Sequence, residues 1–153
     1  MATITGFVEP KRDYAVFVLV MGMQGERIPL IIEKGNFSKK MWKLPGGRPS
    51  PEDDMDKDVT AMREVDDEIG IVVEYPEKEV FRKNKSRHDF IVLKARYFTG
   101  KIIAKAEIER VELFNFAQIR QMIEEKQILP DHAEALLKHI DEVTAFDVVP
   151  NMF

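Results

Sequence analysis

Two short stretches decide the fold of this chain: WKLPGG at residues 42–47 and REVDDEIGI at residues 63–71. The first has two glycines after a proline, which allow a tight turn and a close approach of the backbone to a ligand. The second lies in residues 56–69, whose spacing predicts a helix that ends at Gly70. We therefore expect a glycine-rich turn followed by an acidic helix.

The predicted helix has two different sides. An apolar stripe, suited to packing against a sheet, is formed by Val59, Met62, Val65 and Ile69. The opposite side has three carboxylates at i, i+3 and i+4: Glu64, Asp67 and Glu68. Carboxylates this close repel one another unless a cation neutralises them, and Mg²⁺ commonly takes one or two carboxylates together with substrate phosphates. By itself this pattern fits either a Mg²⁺ or Mn²⁺ site or an ordinary solvated acidic face.

Composition excludes several classes of protein. The chain has 153 residues, of which 44% are hydrophobic and 33% charged, as in one ordinary globular domain covering residues 1–153. The 23 basic and 27 acidic residues give a net charge of −4, which disfavours nucleic-acid binding but not a small phosphorylated ligand. The absence of cysteine excludes disulfides, thiolate catalysis and zinc–cysteine sites.

The rest of the chain shows short apolar segments followed by a helical tail. Strands are predicted at residues 14–21, 28–33, 71–75, 79–82, 89–98 and 110–114, and a loop at residues 35–51. Helices are predicted at residues 117–125 and 131–146, the second capped by Asp131. This order predicts an α/β or α+β sandwich with a mixed sheet. The apolar residues 14–23 are too short to cross a bilayer, so we expect a cytoplasmic protein with no membrane partner.

The glycine turn and the acidic helix together resemble the Nudix hydrolase signature. That signature reads Gly, five residues, Glu, seven residues, then Arg-Glu-apolar-any-Glu-Glu-any-Gly-apolar. Residues 63–71 match its second half, with Asp67 in place of the first Glu of the pair. A weaker likeness extends over most of residues 14–140. The resemblance implies a Nudix-type α/β/α sandwich with a mixed central sheet.

The chain departs from the signature at its first glutamate. Counting back eight residues from Arg63 reaches Met55, whereas counting six forward from Gly47 reaches Asp53, so the loop is two residues longer than usual. Three aspartates are candidates for the missing carboxylate: Asp53, Asp54 and Asp56. We prefer Asp56, because on a helical wheel it lies nearest the acidic side. In the family this carboxylate mainly supports the box and its arginine.

The resemblance implies a metal-dependent pyrophosphohydrolase, MutT-like in type. Such an enzyme cleaves a diphosphate linkage in a nucleoside diphosphate derivative with a water that Mg²⁺ or Mn²⁺ activates. The catalytic residues carried over from the family are Arg63, Glu64 and Glu68. The metal ligands carried over are Glu64, Asp67 and Glu68, and the substrate-binding backbone is that of Gly46 and Gly47.

Several points are left open by the sequence. The absent glutamate at Met55 leaves an alternative, a Nudix-fold nucleotide-binding or regulatory module with weak or no hydrolysis. Three candidates for the general base are suggested by position: Glu107, Glu109 and Glu112. No metal-binding role is expected for His132 or His139. The identity of the nucleotide and the formation of a homodimer are not determined.

Overall fold

The centre of the protein is a five-stranded mixed sheet. A computed structural model describes residues 12–35 and 40–148. The sheet consists of β1 (Tyr14–Met21), β3 (Gly46–Gly47), β4 (Ile71–Val73), β5 (Lys78–Asn84) and β6 (Asp89–Gly100). The strand order is β3-β1-β6-β4, and β5 also pairs with β6. β1 and β6 are parallel, whereas the other pairs are antiparallel.

A second, two-stranded sheet lies beside the first. It pairs β2 (Ile28–Glu33) with β7 (Ile108–Phe114) in antiparallel orientation. Ile31 of β2 also exchanges two backbone hydrogen bonds with Lys43, at 2.8 and 2.9 Å. These bonds hold the segment before the glycines against β2.

Three helices complete the fold: α1 (Lys57–Ile69), α2 (Phe116–Glu124) and α3 (Pro130–Val148). Two short 3₁₀ turns lie at Gln24–Glu26 and Pro51–Asp53. α1 begins where the Asp56 side chain accepts hydrogen bonds from the backbone N–H groups of Asp58 and Val59. It ends at Gly70, which adopts the left-handed conformation typical of a helix stop (φ 75°).

The central sheet buries a core on each face. In β1, Ala15, Phe17 and Leu19 belong to one core, and Tyr14, Val16, Val18 and Val20 to the other. α1 adds Ala61, Val65 and Ile69 to the second core, whereas α2 and α3 add Ile119, Met122, Leu136 and Ile140 to the first. The helices therefore cover opposite faces of the sheet, and the predicted α/β/α sandwich is confirmed.

The structure corrects three details. The predicted loop at residues 35–51 contains β3 and the start of a 3₁₀ turn, although its residues 36–39 lie outside the described part. α3 begins at Pro130, so Asp131 lies within its first turn and is not its cap.

The third detail concerns the buried face of α1. Val59 is 41% exposed, and Thr60 and Ala61 are fully buried in its place. Separately, none of the helices in the described ranges is both long and apolar enough to span a bilayer.

Candidate active site

The two glycines form a strand rather than a tight turn. Gly46 pairs with Phe17, and Gly47 with Val16. Gly46 has φ +147°, and a Cβ atom there would lie 2.1 Å from the Val16 carbonyl oxygen. No other residue tolerates this position, because the backbones of β3 and β1 approach too closely. The close approach at Gly46 is therefore made to β1, not to a ligand.

Two carboxylates of α1 lie against this glycine strand. The Gly46 N–H donates to Glu68 Oε1 at 2.8 Å. A Cβ atom on Gly47 would lie 3.0 Å from Glu64 Oε2, so the missing side chain leaves room for that carboxylate. The structure thus brings Glu64, Glu68 and both glycines together, as the sequence predicted for one site.

Glu68 is a largely buried acid with little to neutralise it. Burial raises its pKa to about 8, and the neighbouring Glu64 and Glu33 act in the same direction. The Gly46 N–H and the charge of Lys43 oppose this shift but are outweighed. A buried carboxylate in this state favours an added positive charge beside it.

Asp53 is the carboxylate that supports Arg63. Arg63 Nε donates to Asp53 Oδ1 at 3.0 Å, and Nη2 donates to Oδ2 at 2.8 Å, which is a bidentate pair. The Asp53 side chain is 1% exposed, and the guanidinium beside it holds its pKa well below the usual 3.8. The preference for Asp56 was wrong in this respect, because that side chain caps α1 instead.

Arg63 also reaches the acidic side of α1. Its Nη1 donates to Glu64 Oε1 at 3.0 Å and to Asp67 Oδ2 at 3.4 Å. Asp67 is 61% exposed, so the structure places it at the outer edge of the cluster. Among residues 12–35 and 40–148, no three acidic or histidine side chains are already gathered as a metal site.

The donor set nevertheless fits a hard divalent cation. Glu64 and Glu68 offer carboxylate oxygens, the ligand type that Mg²⁺ and Mn²⁺ prefer. Among the described residues Glu68 has no ion-pair partner, and the absent Cβ at Gly47 leaves room for the Glu64 carboxylate. Both observations are local and independent of each other.

A groove lies on the face of the sheet covered by α3. It consists of two cavities of about 470 and about 430 Å³ that share Phe17, Leu129 and His132. Glu33 and Lys43 line the first cavity, and Phe90 lines the second. The groove therefore extends from residues whose charges act on Glu68 to an aromatic wall.

His132 is fixed in this wall as a neutral imidazole. Its Nδ1 accepts a hydrogen bond from the Leu44 N–H at 3.1 Å, so its single proton is on Nε2. Burial lowers its pKa to about 3. The ring makes edge contacts with Phe17 and Phe90, at centroid distances of 4.5 and 5.0 Å.

Lys43 lines the groove, and its positive charge acts on Glu68. Its Nζ pairs with Glu33 and lies 4.9 Å from the centroid of the Phe17 ring. Two general-base candidates are engaged elsewhere, since Glu109 pairs with Lys40 and Glu112 with Arg110, and Glu107 is exposed.

Some of these residues could have been found from the sequence. The forward count from Gly47 already reached Asp53. Nothing in the sequence pattern singled out Thr60, Glu33, Lys43 or the Nδ1 contact of His132, because these depend on long-range packing.

Comparison with known proteins agrees with this geometry. The family model described as NUDIX domain matches residues 11–138. A NUDIX hydrolase from Nitrosomonas europaea is 16% identical, with a TM-score of 0.68 over 86% of this chain and 90% of its own. A MutT protein from Methanosarcina mazei is 19% identical, with a TM-score of 0.65 over 90% and 99%.

An ADP-ribose pyrophosphatase from Streptococcus suis is 19% identical, with a TM-score of 0.59 over 84% of this chain and 92% of its own. No curated protein matches the sequence. The solved structures share the fold, and the family model covers most of the chain. The chain belongs to the NUDIX hydrolase family, whose members are pyrophosphohydrolases acting on phosphorus-containing acid anhydrides.

Proposed function

We propose that this protein is a divalent-cation-dependent pyrophosphohydrolase of small nucleoside diphosphate derivatives. The observation that supports it most is the placement of Glu64 and Glu68 against the glycine strand. The groove is large enough for a nucleoside, and the charges of its lining residues Glu33 and Lys43 act on Glu68. The diphosphate of the substrate would then lie at the carboxylates, and the base of the same molecule would lie in the groove.

Glu64, Asp67 and Glu68 are the proposed cation ligands. A Mg²⁺ or Mn²⁺ ion held there would neutralise diphosphate oxygens and lower the pKa of the attacking water. Glu68 is fixed by the Gly46 N–H at 2.8 Å, and Glu64 by Arg63 at 3.0 Å. Asp67 follows Glu64 by three residues on the same helix side and is exposed enough to turn towards the ion.

Lys43 is the proposed contact for the phosphate nearest the groove. Its ammonium group lies at the cavity wall, and its backbone is held by two hydrogen bonds to Ile31. A fixed cation at this point would stabilise charge that develops on phosphoryl oxygens. Its partner Glu33 joins Glu107, Glu109 and Glu112 as a candidate for the general base, because it lines the same cavity as Lys43.

His132 is the proposed residue that recognises the base of the nucleoside. As a neutral imidazole with its proton on Nε2, it offers one hydrogen-bond donor between two phenyl rings. A heteroaromatic base provides both the acceptor and the flat apolar surface that such a wall suits. We therefore favour a substrate whose base is seated in the groove.

The binding-module alternative loses its main support. It rested on the absent glutamate at Met55, yet Asp53 makes the corresponding contact with Arg63 through two hydrogen bonds. The acidic residues Glu64, Asp67 and Glu68 are all present beside Arg63. The enzyme is therefore the better explanation of the site.

Hydrolysis of a substrate panel tests this proposal. ADP-ribose, sugar nucleotides, dinucleoside polyphosphates, nucleoside triphosphates and capped RNA ends are assayed with Mg²⁺, with Mn²⁺ and with chelator. Glu68→Gln is the test variant, and Asp66→Asn, an exposed neighbour on α1, is the matched control. We expect cation-dependent turnover that is lost in Glu68→Gln and kept in Asp66→Asn.

Failure to hydrolyse any compound, with the fold intact by circular dichroism, would contradict the proposal and favour the binding module. The cytoplasmic location stays a prediction, and the formation of a homodimer stays undetermined. Cell fractionation and light scattering would check them.

A further inference from the structure

Thr60 lies inside α1 with a hydroxyl that is fully removed from water. Its Oγ1 lies 2.8 Å from Asp53 Oδ2 and 2.7 Å from the Tyr14 hydroxyl. Tyr14 is itself 5% exposed, at the start of β1. Three side chains from three different elements are thus joined in one buried row.

The direction of these hydrogen bonds can be worked out. Asp53 is ionised, so its oxygens only accept, and the Thr60 hydroxyl donates to Asp53 Oδ2. The alternative acceptor for the same proton, the Asp56 carbonyl, is farther at 3.1 Å and uncharged. Since Thr60 has only one proton, Tyr14 must be the donor at the other contact.

Further hydrogen bonds join these three side chains to the proposed cation ligands. Asp53 Oδ2 also accepts from Arg63 Nη2 at 2.8 Å and from the Ser50 N–H at 2.9 Å. Arg63 in turn donates from Nη1 to Glu64 Oε1 at 3.0 Å. An unbroken series of hydrogen bonds, in which Asp53 accepts from both Thr60 and Arg63, therefore connects the Tyr14 hydroxyl with the Glu64 carboxylate.

We propose that Thr60, supported by Tyr14, is a positioning residue that holds Asp53 so that Arg63 fixes Glu64 for cation binding. This rests on the proposed function only in its catalytic consequence. Asp53 is the last residue of the 3₁₀ turn Pro51–Asp53 and precedes two residues with left-handed backbone, Asp54 and Met55. Neither an α-helix nor a strand orients its carboxylate, and the Thr60 hydroxyl supplies one of the contacts that do.

A packing role for Thr60 predicts a different outcome. If the side chain only filled space, valine would replace it without loss, since the two have nearly the same shape. If the hydroxyl orients Asp53, valine should disturb Arg63 and Glu64, whereas serine should preserve them. The hydroxyl and the methyl group can thus be tested separately.

The experiment compares Thr60→Val, Thr60→Ser and Tyr14→Phe in the full chain. Two quantities are measured: kcat and KM at saturating Mn²⁺, and the solvent exchange of the Arg63 Nε–H by ¹⁵N NMR, assigned with Arg63→Lys. For Thr60→Val we expect kcat to fall about 10-fold with KM within about 2-fold, and the Nε–H to exchange faster. Thr60→Ser should remain within about 2-fold of wild type in both, and Tyr14→Phe should fall between them.

Ile140→Val is the control for lost stability, because it removes one buried methylene from α3 on the opposite face of the sheet. The proposal is overturned if Thr60→Val keeps the wild-type kcat and Arg63 exchange, or if Ile140→Val reproduces its effects. If Thr60→Val fails to fold, the proposal is overturned when the Arg63 Nε–H of Tyr14→Phe exchanges with solvent at the wild-type rate. If the wild type hydrolyses nothing, the proposed function fails, while the NMR measurement still decides whether Thr60 and Tyr14 hold Arg63.

Discussion

Two buried carboxylates at opposite ends of the site have opposite surroundings. Asp53 accepts hydrogen bonds from Nε and Nη2 of the Arg63 guanidinium, from Thr60 and from the Ser50 N–H, and its pKa lies well below the usual value. Glu68 accepts one backbone hydrogen bond, and burial raises its pKa to about 8. The protein neutralises the first carboxylate from within and leaves the second short of positive charge.

The difference shows how surroundings assign roles to similar side chains. A carboxylate with an internal cation stabilises the fold and orients its partner. One without such a cation weakens the fold, and its burial is best explained by a ligand that supplies the charge. The comparison therefore predicts that neutralising the two groups will affect stability in opposite directions.

Asp53→Asn should produce the largest loss of stability. The change leaves the Arg63 guanidinium without its bidentate partner, and breaking a buried ion pair in this way costs about 3 kcal/mol. Urea unfolding measures the loss. Asp56→Asn is the matched control, and it should be almost neutral because asparagine caps a helix as well as aspartate does. Equal losses in the two variants would contradict the assignment of Asp53.

Glu68→Gln should not reduce stability when chelator is present. The amide keeps the shape of the side chain and can still accept from the Gly46 N–H, but it needs no proton on folding, unlike a carboxyl group whose pKa burial raises to about 8. At pH 7 we expect the free energy of unfolding to rise by at least about 1 kcal/mol. Urea unfolding with and without Mn²⁺ measures it, and a fall comparable to that of Asp53→Asn would remove the contrast between the two groups.

Gly47→Ala and Gly46→Ala should separate the two functions of the glycine strand. A Cβ atom on Gly47 meets the Glu64 carboxylate at 3.0 Å, so we expect cation affinity to fall about 10-fold with little loss of stability. A Cβ atom on Gly46 would collide with the backbone of β1, so that variant should lose stability instead. Calorimetric Mn²⁺ titration and urea unfolding distinguish them. Wild-type cation affinity in Gly47→Ala would argue against a site beside Glu64.

Acid should narrow the gap between wild type and Asp53→Asn. Because the pKa of Asp53 is lowered by folding, its stabilisation is complete above the usual value of 3.8 and is lost as pH falls towards the folded pKa. Between pH 5 and pH 3 the unfolded wild type takes up a proton that the folded form does not. Urea unfolding at several pH values measures the gap, and a gap that widens in acid would contradict a lowered pKa.

Met55→Glu should have the smallest effect. It restores the glutamate that the family signature has at this position, yet Asp53 already accepts from both Nε and Nη2 of Arg63. We expect kcat within about 2-fold of wild type, because the Arg63 contact that this glutamate would make is already made by Asp53. A large gain in kcat would show that Asp53 is an inadequate substitute.

Much of the fold could be predicted from the sequence. The bounds of β1 and β2 agree with the predicted strands at residues 14–21 and 28–33, because apolar β-branched runs bounded by turn residues leave little choice. α1 differs from its prediction by one residue, since Asp56 caps it. β3 was missed, because a two-residue strand of glycine has no periodicity to detect.

The site was predictable only in part. Glu64 and Glu68 meet the glycines as expected, because helical spacing fixes their common side. The supporting carboxylate was misplaced because a helical wheel assumes regular backbone, whereas Asp54 and Met55 both have positive φ. Thr60 was overlooked in favour of Val59 because hydrophobicity alone cannot show that a buried hydroxyl has polar partners.

The most direct test of the account is Mn²⁺ binding, measured by electron paramagnetic resonance on the wild type, Glu68→Gln and Asp66→Asn. We predict that the wild type and Asp66→Asn bind Mn²⁺ with equal affinity and that Glu68→Gln binds it at least about 10-fold more weakly. Equal binding by all three proteins, or none by the folded wild type, would show that Glu68 is not buried there to hold a cation.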